Sequence, residues 1–413
     1  MRLLNPLHFS GLFASPYAYG DQRESIGMTF VFFALVFVLY GSINLYIGRR
    51  TWQWLHAIAP QQIPRWLFWT SFWLLASTPF LSRFIAGRVP TSLMALLTPI
   101  GGYWMSIFVY AGMVLGIVDL MRLILRLTGS ASNNVGYSRR TMLATGATVI
   151  VLLLGIIGYG TWRARTPVVA EYTLTVPKQA GPNRELSIVL VSDTHLGYSN
   201  GASRVQAMVT MVNQLKPDLV LIAGDIIDDD LQPFNDQAMA SELSKLEARL
   251  GIYAIMGNHD VRADELAFFR AELAEAGIQM LVDEWVTIDN SLLLVGRDDI
   301  GGPRTSGAVV GVPLTEILQG ADRSLPLLIM DHNPNRFDDS VAAEADLQVS
   351  GHTHAGQLFP FTLITGLSYE QQWGQLSKGP SNLVVSSGFG TWGPPIRVGT
   401  VPEVVHIKLR FEP

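Results

Sequence analysis

The chain contains no cysteine. Disulfides and thiolate metal sites are therefore excluded, and any metal must be held by oxygen and imidazole nitrogen. Lysine is absent from residues 1–162 and acid is scarce there, with 11 Arg against Asp21, Glu24 and Asp119 alone. Residues 163–413 reverse the balance, with 18 basic and 31 acidic side chains and no basic run. That acidity argues against nucleic acid as a partner, because neutralising a phosphate backbone calls for clustered Lys and Arg. Internal repeats and low-complexity tracts are lacking too. Two physically different parts share one chain.

What the first part does have is apolar length. Stretches at about 27–47, 66–86, 95–121 and 142–159 approach or exceed the roughly 18–20 residues that a helix needs to cross a hydrocarbon core. Trp52, Trp54, Trp66, Tyr103 and Trp162 lie near their ends, where amphipathic rings favour the headgroup layer. Residues 1–162 are therefore expected to be a membrane domain with four transmembrane helices, interrupted in the second by Ser77-Thr78-Pro79, with membrane lipids as partners. Asp119, close to Arg122, is expected at the interface. Seven Arg (Arg49, Arg50, Arg65, Arg122, Arg126, Arg139 and Arg140) occupy the loops on one side and six the other, which favours both termini outside the cytoplasm. Ser138-Arg139-Arg140-Thr141-Met142-Leu143 resembles a twin-arginine export signal, and two ordinary arginines flanking a span give the same orientation. The expectation is a multi-pass inner-membrane protein with an extracytoplasmic second part.

From about Pro167 the pattern changes to short β-branched runs alternating with amphipathic stretches. Residues 163–184 read as linker and first strand, and 185–413 as one domain. Strands are expected at Glu185–Ser192, Asp218–Ala223, Ile252–Met256, Ser291–Gly296, Pro326–Met330, Asp346–Ser350, Asn382–Ser386 and Glu403–Arg410. Helices are expected at Arg204–Leu215, Asp236–Leu250, Ala263–Ala276 and Pro313–Leu318. The fold class is α/β, and the later richness in strand favours a two-sheet β-sandwich flanked by helices, in α/β-β/α layers.

Polar residues fall at one recurring place in this pattern. Asp193 and His195 follow Ile188–Val191, Asp225 follows Leu219–Ala223, and Asn258 and His259 follow Tyr253–Met256. His332 follows Leu327–Met330, and His352 and His354 follow Leu347–Val349. Five of the eight histidines occupy such strand exits. The crevice beyond the carboxyl ends of the strands is where α/β sheets bind ligands. Carboxylate, amide and imidazole groups gathered there suit borderline divalent metals.

These blocks, Asp193-Thr194-His195, Gly224-Asp225-Ile226-Ile227-Asp228, Gly257-Asn258-His259-Asp260, His332 and Gly351-His352-Thr353-His354, resemble the calcineurin-like binuclear metallophosphoesterases in type and order. Gly351–Gln357 and the tail Ser386–Thr391 with Pro395-Ile396-Arg397 are similar to the bacterial membrane-associated branch, although Ala355 stands where Gly is common. The resemblance implies two divalent ions, Mn, Zn or Fe. One would be held by Asp193, His195, Asp225 and His354 and the other by Asp225, Asn258, His332 and His352, with Asp225 shared. It also implies hydrolysis of a phosphodiester or phosphomonoester by a hydroxide between the metals. His259 would serve the leaving-group oxygen, with Asp228 on its other nitrogen; Asp260 is expected to be structural, and Gly224, Gly257 and Gly351 to turn the backbone.

The substrate is a phosphate ester whose leaving group the metal ligands do not define. Arg262, Arg297 and Arg304 are candidate phosphate contacts beside their reading as surface Arg. Tethering to a bilayer favours a lipid-linked ester. A membrane-anchored protein phosphatase, and a receptor or transporter with a phosphate-binding domain, are the alternatives.

Overall fold

The computed structural model describes residues 22–59, 62–129, 138–261, 263–299 and 311–412. The chain divides into two compact units near Trp162 and Arg163.

The first unit is helical: α1 (Gln22–Ile58), α2 (Arg65–Ile85), α3 (Thr91–Leu127) and α4 (Arg139–Arg165). Pro64 and Pro90 immediately precede α2 and α3, where a missing N–H costs nothing. Pro79 does not end α2 as its sequence context suggests. The Leu75 carbonyl that Pro79 leaves without an N–H accepts the Thr78 hydroxyl at 2.6 Å, the local repair that lets a membrane helix carry proline. Gly101 keeps α3 close to that kink, since a Cβ there would meet Pro79 Cα at 3.0 Å. Asp119 accepts from Arg122 Nη1 at 3.1 Å, from Tyr46 Oη at 2.7 Å and from Arg50, so it ties α1 to α3.

Four spans are expected from the sequence. Among the described residues α3 and α4 are long and apolar enough to cross a membrane. Only 11% and 6% of the most apolar windows of α3 and α4 are buried, unlike a core helix of a water-soluble protein.

The second unit is built on strands: β1 (Val168–Val176), β2 (Glu185–Val191), β3 (Leu219–Ala223), β4 (Ile252–Ile255), β5 (Ile278–Met280) and β6 (Glu284–Ile288). They continue as β7 (Leu292–Gly296), β8 (Leu327–Met330), β9 (Leu347–Ser350), β10 (Gly374–Lys378), β11 (Ser381–Val385) and β12 (Glu403–Phe411). Two six-stranded sheets result, ordered β1-β12-β2-β3-β4-β5 and β10-β11-β9-β8-β7-β6. The connections between strands contain, in chain order, α5 (Ala202–Gln214), α6 (Gln232–Asp236), α7 (Met239–Leu243), α8 (Leu266–Glu275), α9 (Leu314–Ile317), α10 (Phe337–Ala342) and α11 (Phe361–Ser368).

Strand alternation assigns the layers. Leu186, Ile188 and Leu190 of β2 join Leu292, Leu294, Leu328 and Met330 of the other sheet in one core. Val189 and Val191 point the other way, onto Val205, Met208 and Val212 of α5. Leu293, Val295, Leu327 and Ile329 likewise back onto α9. Both faces of the central strands are apolar because both are covered, as parallel strands require.

In the segment 163–184, read as linker and first strand, β1 runs parallel to β12 from Val168 opposite Glu403 to Val176 opposite Phe411. One expected element differs. The single helix expected over Asp236–Leu250 is instead α6, α7 and a run of turns. Ala238 is left-handed there. The Asn213 side chain takes the Lys245 carbonyl at 2.7 Å and the Glu247 N–H at 3.0 Å, so side-chain bonds replace helical ones.

Candidate metal centre

The carboxyl ends of β2, β3, β4, β8 and β9 deliver polar side chains to one place. Their backbones are bent to do so: Asp193, His195, Asp225, His352 and His354 all have positive φ, between 42° and 72°. Such a conformation costs an ordinary L-residue on the order of 1 kcal/mol, and clusters of it mark functional sites. Gly224 turns off β3 at φ 83°, as expected. Gly257 and Gly351 serve differently. A Cβ on Gly257 would strike the Asp225 carboxylate, and one on Gly351 would strike Ser192 and Asp193, so these glycines make room for the ligand groups.

The first expected set meets. His354 Nε2 lies 3.4 Å from Asp193 Oδ1, and His195 Nε2 lies 3.0 Å from His354 Nε2 and 3.5 Å from Asp225 Oδ2. The second set meets around the same carboxylate. His332 Nε2 is 3.2 Å from Asp225 Oδ2, His352 Nδ1 is 2.7 Å from Asn258 Oδ1, and the His332 and His352 rings are 5.1 Å apart. Asp193, His195, Asp225, His332 and His354 are buried, whereas Asn258, His259 and His352 are half-buried and form the mouth.

Hydrogen bonds behind the ligand atoms fix their aim. His332 Nδ1–H donates to the Ala223 carbonyl at 2.7 Å, which leaves Nε2 as the lone-pair nitrogen of the neutral ring. That atom is buried without a hydrogen-bond partner, as is His195 Nδ1. The His352 N–H donates to both Asp193 oxygens at 2.9 and 3.1 Å, and the His259 N–H to Asp225 Oδ1 at 2.8 Å. Asp260 is structural as expected: it accepts from the N–H groups of Ile226, Ile227 and Gly257 at 2.7 to 3.0 Å, locking the turns after β3 and β4.

The electrostatics are those of a cation site. Burial pushes the His195 imidazole down, but Asp228, Asp225 and Asp193 outweigh it and lift the ring to about 9. His332 is likewise driven well up, burial being overcome by Asp225. Asp225 is held well below the usual carboxylate range, as His332 and His195 outweigh burial. Burial, His195 and Arg397 push His354 well down. Oxygen and nitrogen donors of this type suit divalent metals. The residues fit a metal pair.

Two assignments change. Asp228 does not hold His259; its Oδ1 lies 3.5 Å from His195 Nδ1. The carboxylate on His259 Nδ1 is Asp229, at 2.9 Å. Asp229 has φ 61°, so the chain reverses there and neighbouring acids face different imidazoles. Arg297 is neither a surface residue nor a phosphate contact: it is buried and paired with Asp331 at 3.2 Å and Asp339 at 3.1 Å. Arg262 and Arg304 lie outside the described residues.

Two residues take places in the site that the sequence does not assign to them. Arg397 is fully buried behind the site, donating to the Gly388 and Gly390 carbonyls at 3.0 and 2.8 Å with Nη2 3.4 Å from His354 Nδ1. Its signal was an Arg between apolar neighbours in an acidic domain. Trp392 packs its ring 5.2 Å from that of His259, and nothing in its sequence context marks it.

Residues 186–356 match the family model described as calcineurin-like phosphoesterase. The chain is similar to a Danio rerio protein named transmembrane protein with metallophosphoesterase domain, at 29% identity over 72% of this chain and 69% of that one. Its Bos taurus namesake is 28% identical over 84% of this chain and 78% of its own. An uncharacterized metallophosphoesterase of Aquifex aeolicus is 32% identical over 59% of this chain and 91% of its own length. Bacterial and animal relatives both occur, so the similarity is broader than the bacterial branch alone.

Proposed function

Because the chain belongs to the calcineurin-like phosphoesterases, we propose that it is a membrane-anchored, metal-dependent hydrolase of a phosphodiester or phosphomonoester. Asp193, His195, Asp225 and His354 would hold one divalent ion, and Asp225, Asn258, His332 and His352 a second; Mn, Zn or Fe suit such donors. One observation carries this reading: a single buried carboxylate, Asp225, stands 3.5 Å from His195 and 3.2 Å from His332, so both sets share one anion. When bound, such ions polarise phosphoryl oxygens and acidify coordinated water.

The protein's own groups supply the remaining work. Asp228 sits on His195 Nδ1 and orients that ring towards Asp225. His259 rests its Nδ1 on Asp229, which leaves Nε2 to hold a proton for the leaving-group oxygen. Burial pushes this imidazole down and Asp229 pushes it up, with a net rise, as suits an acid that must stay charged near neutrality. The Trp392 ring beside it shields that proton from solvent on one side.

Metal analysis of the detergent-purified chain, combined with hydrolysis of aryl phosphate mono- and diesters, tests the reading. Two ions per chain and metal-dependent turnover are expected, both lost in Asp225→Asn; a chain that binds no metal and cleaves neither ester refutes it. The helical unit, in this proposal, spans an inner membrane four times with the phosphoesterase unit outside the cytoplasm. Protease cutting of that unit in intact spheroplasts but not in inverted vesicles is the expected result, and the opposite pattern would favour a cytoplasmic protein phosphatase.

A further inference from the structure

The helix that follows the last ligand residue turns its large apolar side chains outward. α11 begins five residues after Gly356 and contains no buried side chain. Leu363, Ile364 and Leu367 are 60%, 45% and 87% exposed, and Phe359 and Phe361 just before them are 43% exposed. From Leu358 to Tyr369 the chain carries no charge at all. An eight-residue helix presenting aliphatic side chains outward gains nothing from the core of its own unit, and a patch of this kind marks an interaction surface.

Its position ties it to the candidate metal centre. Tyr369, at the end of α11, sets its ring 6.1 Å from His352, and the Thr353 hydroxyl donates to the Gln372 carbonyl at 2.5 Å. Across the mouth, Gln357 Nε2 donates to the carbonyl of Trp392, whose ring lies against His259. Trp373 and Trp392 are each nearly half exposed. The rim is therefore aliphatic in α11 and aromatic on either side, a combination found where side chains meet the boundary between acyl chains and headgroups. The chain itself supplies the lipid surface: α4, which is long and apolar enough to cross a membrane, ends at Arg165, and β1 begins at Val168.

We propose that α11, with Phe359, Phe361, Trp373 and Trp392, docks on a bilayer surface, and that the metal centre beside it acts on phosphate esters carried by lipids. The docking stands on the exposed rim; the choice of substrate rests on the phosphoesterase reading.

The absence of cysteine makes the test direct. Single thiols are introduced by Leu367→Cys, by Leu363→Cys as a second position, and by Glu247→Cys at the opposite, amino-terminal ends of the strands. Each is labelled with a fluorophore in the full chain, reconstituted into vesicles whose acyl chains carry a nitroxide quencher. Quenching severalfold stronger at 367 and 363 than at 247 is expected. Equal quenching at all three, or labels at 367 and 363 shielded from lipid and water alike by a second copy or another protein, overturns the docking. The unmodified chain in vesicles is then given a phosphatidyl ester and the same headgroup ester without acyl chains. Faster turnover of the lipid is expected, and equal rates refute the substrate assignment. Hydrolysis of neither defeats the phosphoesterase reading instead, while the quenching result still decides the docking.

Discussion

The two units of this chain place polar and apolar side chains in opposite ways. In the strand-built unit Asp193 and Asp225 are buried among the imidazoles of His195, His332 and His354. In the helical unit Leu35, Val38 and Leu154 face outward, each about two-thirds exposed. Burying unpaired charge costs several kcal/mol per ion, and exposing aliphatic surface to water costs about 25 cal/mol per Å². Neither arrangement makes sense in water alone. Each unit implies what completes it: cations for the carboxylate cluster, acyl chains for the helices.

The largest test of that contrast is Asp225→Asn, which removes the shared charge and nearly preserves its shape. A fall in kcat on the order of 10²–10³-fold or more is expected, as for loss of a main charge-stabilising group, together with loss of bound metal by elemental analysis. A turnover within a few-fold of the unmodified chain would remove the need for cations. On the other side, Leu152→Asp places a charge midway along α4, on an exposed position. Its insertion should be less favourable by about 3 kcal/mol, read as the inserted fraction in a glycosylation-reporter assay; an unchanged fraction would mean that α4 does not cross lipid.

Smaller effects separate the two acids. Asp229→Asn should lower kcat roughly 10–100-fold, the usual consequence of removing the carboxylate behind a working imidazole. It should also move the alkaline limb of the pH profile to lower pH, because Asp229 raises the His259 imidazole. Asp228→Asn should weaken metal binding by a similar roughly 10–100-fold factor and leave that limb in place. Interchanged phenotypes would restore the pairing first expected from the sequence.

The mildest test is acidity itself. His195 stands at about 9 against an ordinary 6.5, so its proton stabilises the metal-free fold fully below pH 6.5, and that contribution disappears as pH rises through 9. A cation competing for the ring must expel this proton. Apparent affinity for Mn²⁺ in the metal-stripped chain should therefore rise roughly tenfold per pH unit for each proton expelled as pH climbs towards about 9, the His195 contribution levelling off above it. A flat dependence, measured by calorimetric titration, would show that His195 is not displaced.

Much of this was legible in the sequence because the physics involved is local. A run such as Ile188–Val191 ended by Asp193 shows a buried strand stopping at a polar group, and β2, β3, β4, β8 and β9 lie within a residue or two of where the pattern puts them. What stayed hidden depended on chain direction. Asp228 and Asp229 are adjacent and chemically equal, and only the left-handed turn at Asp229 sends one to His195 and the other to His259. The helix expected through Lys245 failed for a similar reason, since its competitor, the Asn213 side chain, comes from α5. The exposed face of α11 could not be told from a core helix by composition.

By itself, then, the amino-acid order determined which donor atoms are on offer, that they stand at strand exits, and that one part of the chain suits lipid and the other water. Those properties follow from side-chain chemistry and periodicity over a few residues. The tertiary structure alone decided that Asp228 and Asp229 face different imidazoles, that Arg297 is locked away from any substrate, and that apolar residues rim the mouth. Such facts depend on register and backbone handedness between segments well separated in the chain, where no local pattern reaches.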